Sequence, residues 1–155
     1  MIDPQVRPAT AADGEQLRWL ESIARRALID QRGGPRWLAT HTERGELWES
    51  AIGVHEVYIA QIDDVVVGYL VARVDGSVLQ VDEVFVHPEA REVGCGDGLL
   101  AAALNHGRTA GLRLLEGEAL PGDREMKNLY ERAGIKARLI TVSTELGPEP
   151  YGSLT

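Results

Sequence analysis

The chain has 155 residues, 44% of them apolar and 26% charged, which is the size and make-up of one globular domain rather than a disordered chain. Sixteen basic residues against 24 acidic ones leave a net charge of −8, which argues against a nucleic-acid surface. No apolar run approaches the ~18 residues of a membrane span, and the single Cys95 allows neither an internal disulfide nor a thiolate metal cluster.

The opening Met1-Ile2-Asp3-Pro4 has neither a basic nor an apolar stretch, so a cytoplasmic protein without a secretory leader is expected. Residues 6–8 read as a short first strand. Thr10 with Asp13 gives a helix start, after which Leu17, Leu20, Ala24, Ala27 and Leu28 recur at helical spacing. Gly33-Gly34-Pro35 ends that helix and opens a second helical segment, with Trp37, Leu38, Leu47, Trp48, Ala51 and Ile52 on its buried side.

From residue 55 the period shortens. Residues 57–60 and 65–74 read as a hairpin around Asp63-Asp64, and Asp75-Gly76 turns the chain into a third strand over 78–86 that Pro88 ends. A glycine loop then opens a helix bearing Leu99, Leu100, Ala103 and Leu104. Residues 112–115 read as a strand, 123–133 as a helix, and 135–144 as a last strand. The order β-α-α-β-β-β-α-β-α-β predicts one α/β domain with a mixed sheet over residues 1–146, followed by a mobile tail over 147–155.

The stretch from Val84-Phe85-Val86 to Gly98 carries the chemistry. Glycines at 94 and 96 allow close backbone approach and expose successive N–H groups at a helix N-terminus, a site suited to pyrophosphate. A tight strand-to-helix turn that needs glycine for geometry alone is the competing reading. A dinucleotide site is another, since Glu116 or Glu118 falls ~20 residues on, but seven residues separate Val86 from Gly94. No Gly-Lys-[Ser/Thr] follows, which excludes a P-loop.

Three separated stretches resemble the GNAT superfamily of acyl-CoA-dependent N-acetyltransferases. They are Val6-Arg7-Pro8-Ala9-Thr10 with Asp13; Val86-His87-Pro88 with Arg91-Glu92-Val93-Gly94-Cys95-Gly96; and Asp123-x-x-Met126-x-x-Leu129-Tyr130-Glu131-x-x-Gly134-Ile135. The resemblance implies acetyl transfer from acetyl-CoA to a small-molecule or peptide amine by direct attack in a ternary complex. It implies that the backbone of Val84, Phe85 and Val86 faces the pantetheine arm, in a gap between the fourth and fifth strands. It also implies that Arg91, Glu92, Val93, Gly94, Cys95, Gly96, Asp97 and Gly98 hold the pyrophosphate, with Asp123 contacting the cofactor and Tyr130 acting as general acid.

Asp82 is expected as the base first and Glu118 second, because Gln80, where some members carry a carboxylate, cannot take a proton. Strand alternation would put Gln80, Asp82 and Val84 on one face and Glu83 on the other. Asp123 and Met126 replace the family's asparagine and alanine, and Glu92 stands where glycine is frequent. Gln80, Asp123 and Met126 keep a non-catalytic acyl-CoA-binding module open as the rival reading. Many relatives form homodimers, so a homodimer is open to this chain as well. His41, His55, His87 and His106 show no ligand spacing, and no metal site is expected. The acidic balance, with Asp82, Glu83, Glu116 and Glu118 near the gap, points to a cationic acceptor.

Overall fold

Five strands make one sheet in the order β1-β2-β3-β4-β5 in a computed structural model that describes residues 3–148. They are β1 (Gln5–Pro8), β2 (Glu56–Ile62), β3 (Val65–Asp75), β4 (Val78–Val86) and β5 (Leu114–Glu116). The first three pairings are antiparallel and β4·β5 is parallel, because the long α4 (Cys95–Thr109) carries the chain back across one face between β4 and β5. Asp63 and Asp64 both take left-handed backbone at the β2–β3 turn, the conformation a two-residue hairpin of matching twist requires.

Each face of the sheet has its own core. α4 and α5 (Arg124–Arg132) cover Leu70, Leu79, Val81 and Val84 with Leu99, Leu100, Ala103 and Leu129. On the other face α1 (Gly14–Leu28) brings Leu17, Leu20 and Ala24 against Ile59, Tyr69, Val71 and Phe85. Arg7 fixes the start of α1, donating to both oxygens of the buried Asp13 at 2.8 and 2.9 Å. The second helical segment is broken into α2 (Gly34–Thr40) and α3 (Trp48–Val54), and only Trp48 among its expected core residues is fully buried; Leu47 faces solvent. No helix among the described residues is long and apolar enough to cross a membrane.

Two expectations are corrected. The strand over residues 135–144 does not form: no neighbouring strand is laid beside it, and β-branched residues make a strand only against an edge. Of the expected tail, residues 149–155 lie outside the described residues. The alternation along β4 also fails. Val71 pairs with Glu83 but Ala72 with Val81, so Asp82 is an extra residue, a β-bulge. Beyond it the faces exchange: Val84 joins Leu79 and Val81 under α4, while Glu83 and Phe85 turn toward α1.

Candidate active site

β5 accompanies β4 only from Val78 to Gln80 and then stops at Glu116. Beyond it the sheet is open. His87 N–H donates to Val67 O at 2.8 Å, so by antiparallel alternation Phe85 and Glu83 turn their peptide groups to β3, while Val84 and Val86 turn theirs into the opening. Phe85 therefore contributes its buried side chain rather than its backbone. Arg91 marks the end of this free edge, its Nε donating to Val86 O at 3.2 Å and its guanidinium pairing with Glu125 at 2.7 Å.

Beside the open edge lies a cavity of about 380 Å³ between α1, α2, β4 and the loop leading into α5. Asp82, Glu83, Glu118 and Asp123 all line it, with Trp37 and Met126 among its apolar walls. The two carboxylates proposed as alternative bases thus meet in one space. Their settings differ: Asp82 is paired with Arg73 at 3.2 Å, whereas Glu118 is exposed and has no ion-pair partner among the described residues.

The glycine loop divides its tasks. Gly94 takes φ +93° and leaves open space around its α-carbon, as a turn opening a helix demands. Gly98 N–H makes the first helical bond to Gly94 O, so the amides of Cys95, Gly96 and Asp97 have no helical partner and form a positive helix end. Gly96 itself has ordinary helical backbone. A Cβ there would meet Leu129 Cδ2 at 2.9 Å, and at Gly98 one would meet Val6 Cγ2 at 2.9 Å. These two glycines admit α5 and β1, a packing reason rather than ligand access. Glu92 holds φ +68° with its side chain in solvent. Val93 packs half-buried on the core, Asp97 pairs with Arg132 of α5, and Cys95 is buried, which pushes its thiol pKa up.

Asp123 caps α5, accepting from Met126 N–H at 3.0 Å. A carboxylate at that helix end suits both the free amides and the dipole. Tyr130 is buried under the same helix, its hydroxyl directly over Gly117, where a Cβ would collide with it. Burial, and then the Glu118 charge, raise the hydroxyl pKa well above the ordinary 10.

A second set of charged residues has no counterpart in the periodicity. Buried Glu21 of α1 accepts from Arg44 N–H, Gly45 N–H and Trp48 Nε1 at 2.9–3.1 Å. The Arg44 guanidinium bridges Glu21 at 3.1 Å and Glu83 at 2.7 Å over the Trp48 ring, and the Tyr69 hydroxyl donates to Glu83 at 2.7 Å. Glu83 is thus brought to the cavity wall by the bulge and held there. A buried glutamate inside an apolar helical stripe is the one trace of this network a sequence carries.

Residues 17–135 match the model of the acetyltransferase (GNAT) family, and the chain belongs to that family. Solved structures share the fold over nearly the whole chain. The aminoglycoside N-acetyltransferase AAC(6')-Iy, solved with a bisubstrate analogue joining CoA to acetylneamine, is 21% identical, with 93% of this chain and 99% of that one covered and a TM-score of 0.67. The PaiA N-acetyltransferase of Thermoplasma acidophilum, solved with coenzyme A, is 14% identical over 84% and 88%, with a TM-score of 0.69. A ribosomal-protein-alanine N-acetyltransferase from Brucella melitensis is 18% identical over 95% and 99%, with a TM-score of 0.66. No curated protein matches by sequence.

Proposed function

We propose that the chain transfers an acetyl group from acetyl-CoA to a cationic primary amine. The observation that carries this reading is the open edge of β4, where the peptide groups of Val84 and Val86 meet no neighbouring strand and only Val86 O is engaged, by Arg91, beside a carboxylate-lined cavity. A strand edge of this kind suits an extended arm that carries amides of its own. The free amides at the start of α4 suit a pyrophosphate seven or more residues further along. The residues present therefore fit the co-substrate, with Arg91 able to exchange Glu125 for a phosphate. The neighbours solved with CoA, and with CoA joined to an aminoglycoside, support the same donor and an amine acceptor.

Acetyl-CoA supplies an activated acyl carbon that a neutral amine can attack directly. A lysine-like amine has a pKa of ~10.4, so deprotonating it at pH 7 costs about 4.6 kcal/mol at ~1.36 kcal/mol per unit. Glu118, unpaired and at the cavity wall, takes that proton directly or through water, with Asp82 as the second candidate because Arg73 already engages it. Tyr130 returns a proton to the departing sulfur. Its raised pKa keeps the phenol protonated at neutral pH, so Tyr130 adds no fall in rate below pH ~10. A second reading, a non-catalytic acyl-CoA-binding module, is favoured by the engagement of Asp82 with Arg73 and by Gln80.

Calorimetric titration with acetyl-CoA and with NAD, followed by thiol release over a panel of amines, separates the readings. Acetyl-CoA is expected to bind and NAD not to. Tyr130→Phe is expected to lower kcat about 100-fold, a usual general-acid contribution, and to leave acetyl-CoA affinity unchanged. Binding of NAD alone would overturn the donor assignment. Acetyl-CoA binding without release against any amine would leave the binding module.

A further inference from the structure

Gly117 follows the last residue of β5, and its φ lies outside the left-handed region, so the backbone there suits any L-residue. What glycine supplies is room. A Cβ at Gly117 would collide with the Tyr130 hydroxyl, and would lie 2.9 Å from Cζ and 3.2 Å from Cε1 of the same ring. Gly96 and Gly98 make room for the aliphatic Leu129 and Val6, whereas Gly117 makes room for a hydroxyl.

The ring has little freedom to swing aside. Tyr130 is buried in the same core cluster as Leu129, with Met126 and Ala133 packed against it. The helix that carries it is tied to α4 by Leu129 over Gly96 and by Arg132 Nε on Asp97 at 3.1 Å. Shifting the hydroxyl means turning the whole side chain about χ1 in a close-packed interior. Glu118 is the next residue and lines the cavity, and its charge acts on the Tyr130 hydroxyl. We infer that Gly117 is a positioning residue: its missing side chain seats the Tyr130 hydroxyl where β4 and β5 part, one residue from Glu118. An alanine there drives apart the hydroxyl and the carboxylate, by moving either the ring or the exit of β5. The inference rests on the acetyl-transfer reading for what the hydroxyl does, while the seat itself is tested without turnover.

Four proteins are compared: wild type, Gly117→Ala, Tyr130→Phe and the double variant. In urea melts Gly117→Ala is expected to lower the midpoint, and to lower it less than half as much in the Tyr130→Phe background, where the colliding oxygen is gone. Gly117→Ala is expected to lower kcat about 30- to 100-fold, the cost of a misplaced catalytic group, with acetyl-CoA affinity by calorimetry within about twofold of wild type. The double variant is expected to be no slower than Tyr130→Phe alone, because both changes act through one hydroxyl. Gly53→Ala, whose Cβ would meet open space, is the control and is expected to keep both kcat and midpoint. Equal midpoint shifts in the two backgrounds would overturn the seat. Full kcat in Gly117→Ala, or losses that multiply in the double variant, would overturn the positioning role and leave a packing contact. If Gly117→Ala does not fold, Tyr130→Phe is expected to restore folding, and a double variant that stays unfolded contradicts the inference. A wild type that binds acetyl-CoA and acetylates no amine ends the acetyl-transfer reading and the catalytic half of this inference with it, and the melts still decide the seat.

Discussion

Glu92 sits in the loop that opens α4 with φ +68°, a conformation that costs an L-residue roughly 1–2 kcal/mol. Its side chain is exposed and engages no partner among the described residues, so nothing local offsets that strain. Glycine would release it, less the roughly 0.5–1 kcal/mol of extra chain entropy glycine loses on folding. Glu92→Gly is therefore expected to raise stability by about 0.5–1 kcal/mol, and Glu92→Val, β-branched in the same conformation, to lower it by more than 1 kcal/mol. Urea melts of the three proteins check the order. If Glu92→Gly melts earlier than wild type, the loop is not strained at this position. On the acetyl-CoA reading, removing a carboxylate beside the free amides of α4 is expected to tighten acetyl-CoA as well. Gly96 behaves oppositely: its backbone is ordinary, and what forbids a side chain is Leu129 across the helix contact.

At the scale of the element, the bulge at Asp82 decides what the cavity contains. One extra residue in β4 turns Glu83 toward α1, where Arg44 and the Tyr69 hydroxyl receive it and Arg44 also neutralises the buried Glu21. Removing the shared cation leaves two carboxylates facing each other out of water. Arg44→Met is expected to destabilise the fold by about 3–5 kcal/mol, the usual cost of orphaning a buried partner. Adding Glu21→Gln and Glu83→Gln is expected to recover more than half of that loss in thermal or denaturant melts. No recovery would mean that Arg44 acts by covering Trp48 with its stem rather than by charge. The network also shows where sequence reading ends. The glycine turn before α4 and the helix that bears Tyr130 were legible because each rests on residues a few positions apart on one element, whereas Asp123, expected against the cofactor, stands as the cap of α5. The bulge was not legible, because Val-Asp-Glu-Val reads as ordinary alternation and the insertion is defined only by register against β3. The missing last strand failed for a related reason: its residues favour a strand, but no ladder joins them to the free edge of β5, and propensity without pairing makes no strand.

Across the whole molecule the net charge of −8 is spread widely, and most acids near the cavity are already matched. Asp82, Glu83, Glu118, Asp123 and Glu125 line it, and Glu21 stands behind Glu83. Against these six stand Arg91 and Arg124 in the lining and Arg44 and Arg73 as ion-pair partners, which leaves two negative charges in excess. A low-dielectric cleft with an excess of one sign concentrates the opposite charge and repels its own, an effect of 10-fold or more on association in favourable cases. The field reaches only about 8 Å at physiological salt, so the attraction belongs to the cavity mouth and weakens as salt rises. On the acetyl-transfer reading, kcat/KM is expected to be highest for a polyamine or lysine-like acceptor, lower for a neutral amine and lowest for an acidic amino acid. Raising salt from about 20 to 500 mM is expected to cut the cationic value several-fold, leave the neutral one nearly unchanged and raise the acidic one. Glu118→Gln removes one of the two excess charges, so in the residual activity it should flatten the salt slope for the cation. If the acidic acceptor is preferred, or salt leaves the cationic acceptor untouched, the excess charge in the cavity does not select the substrate and shape alone must do so.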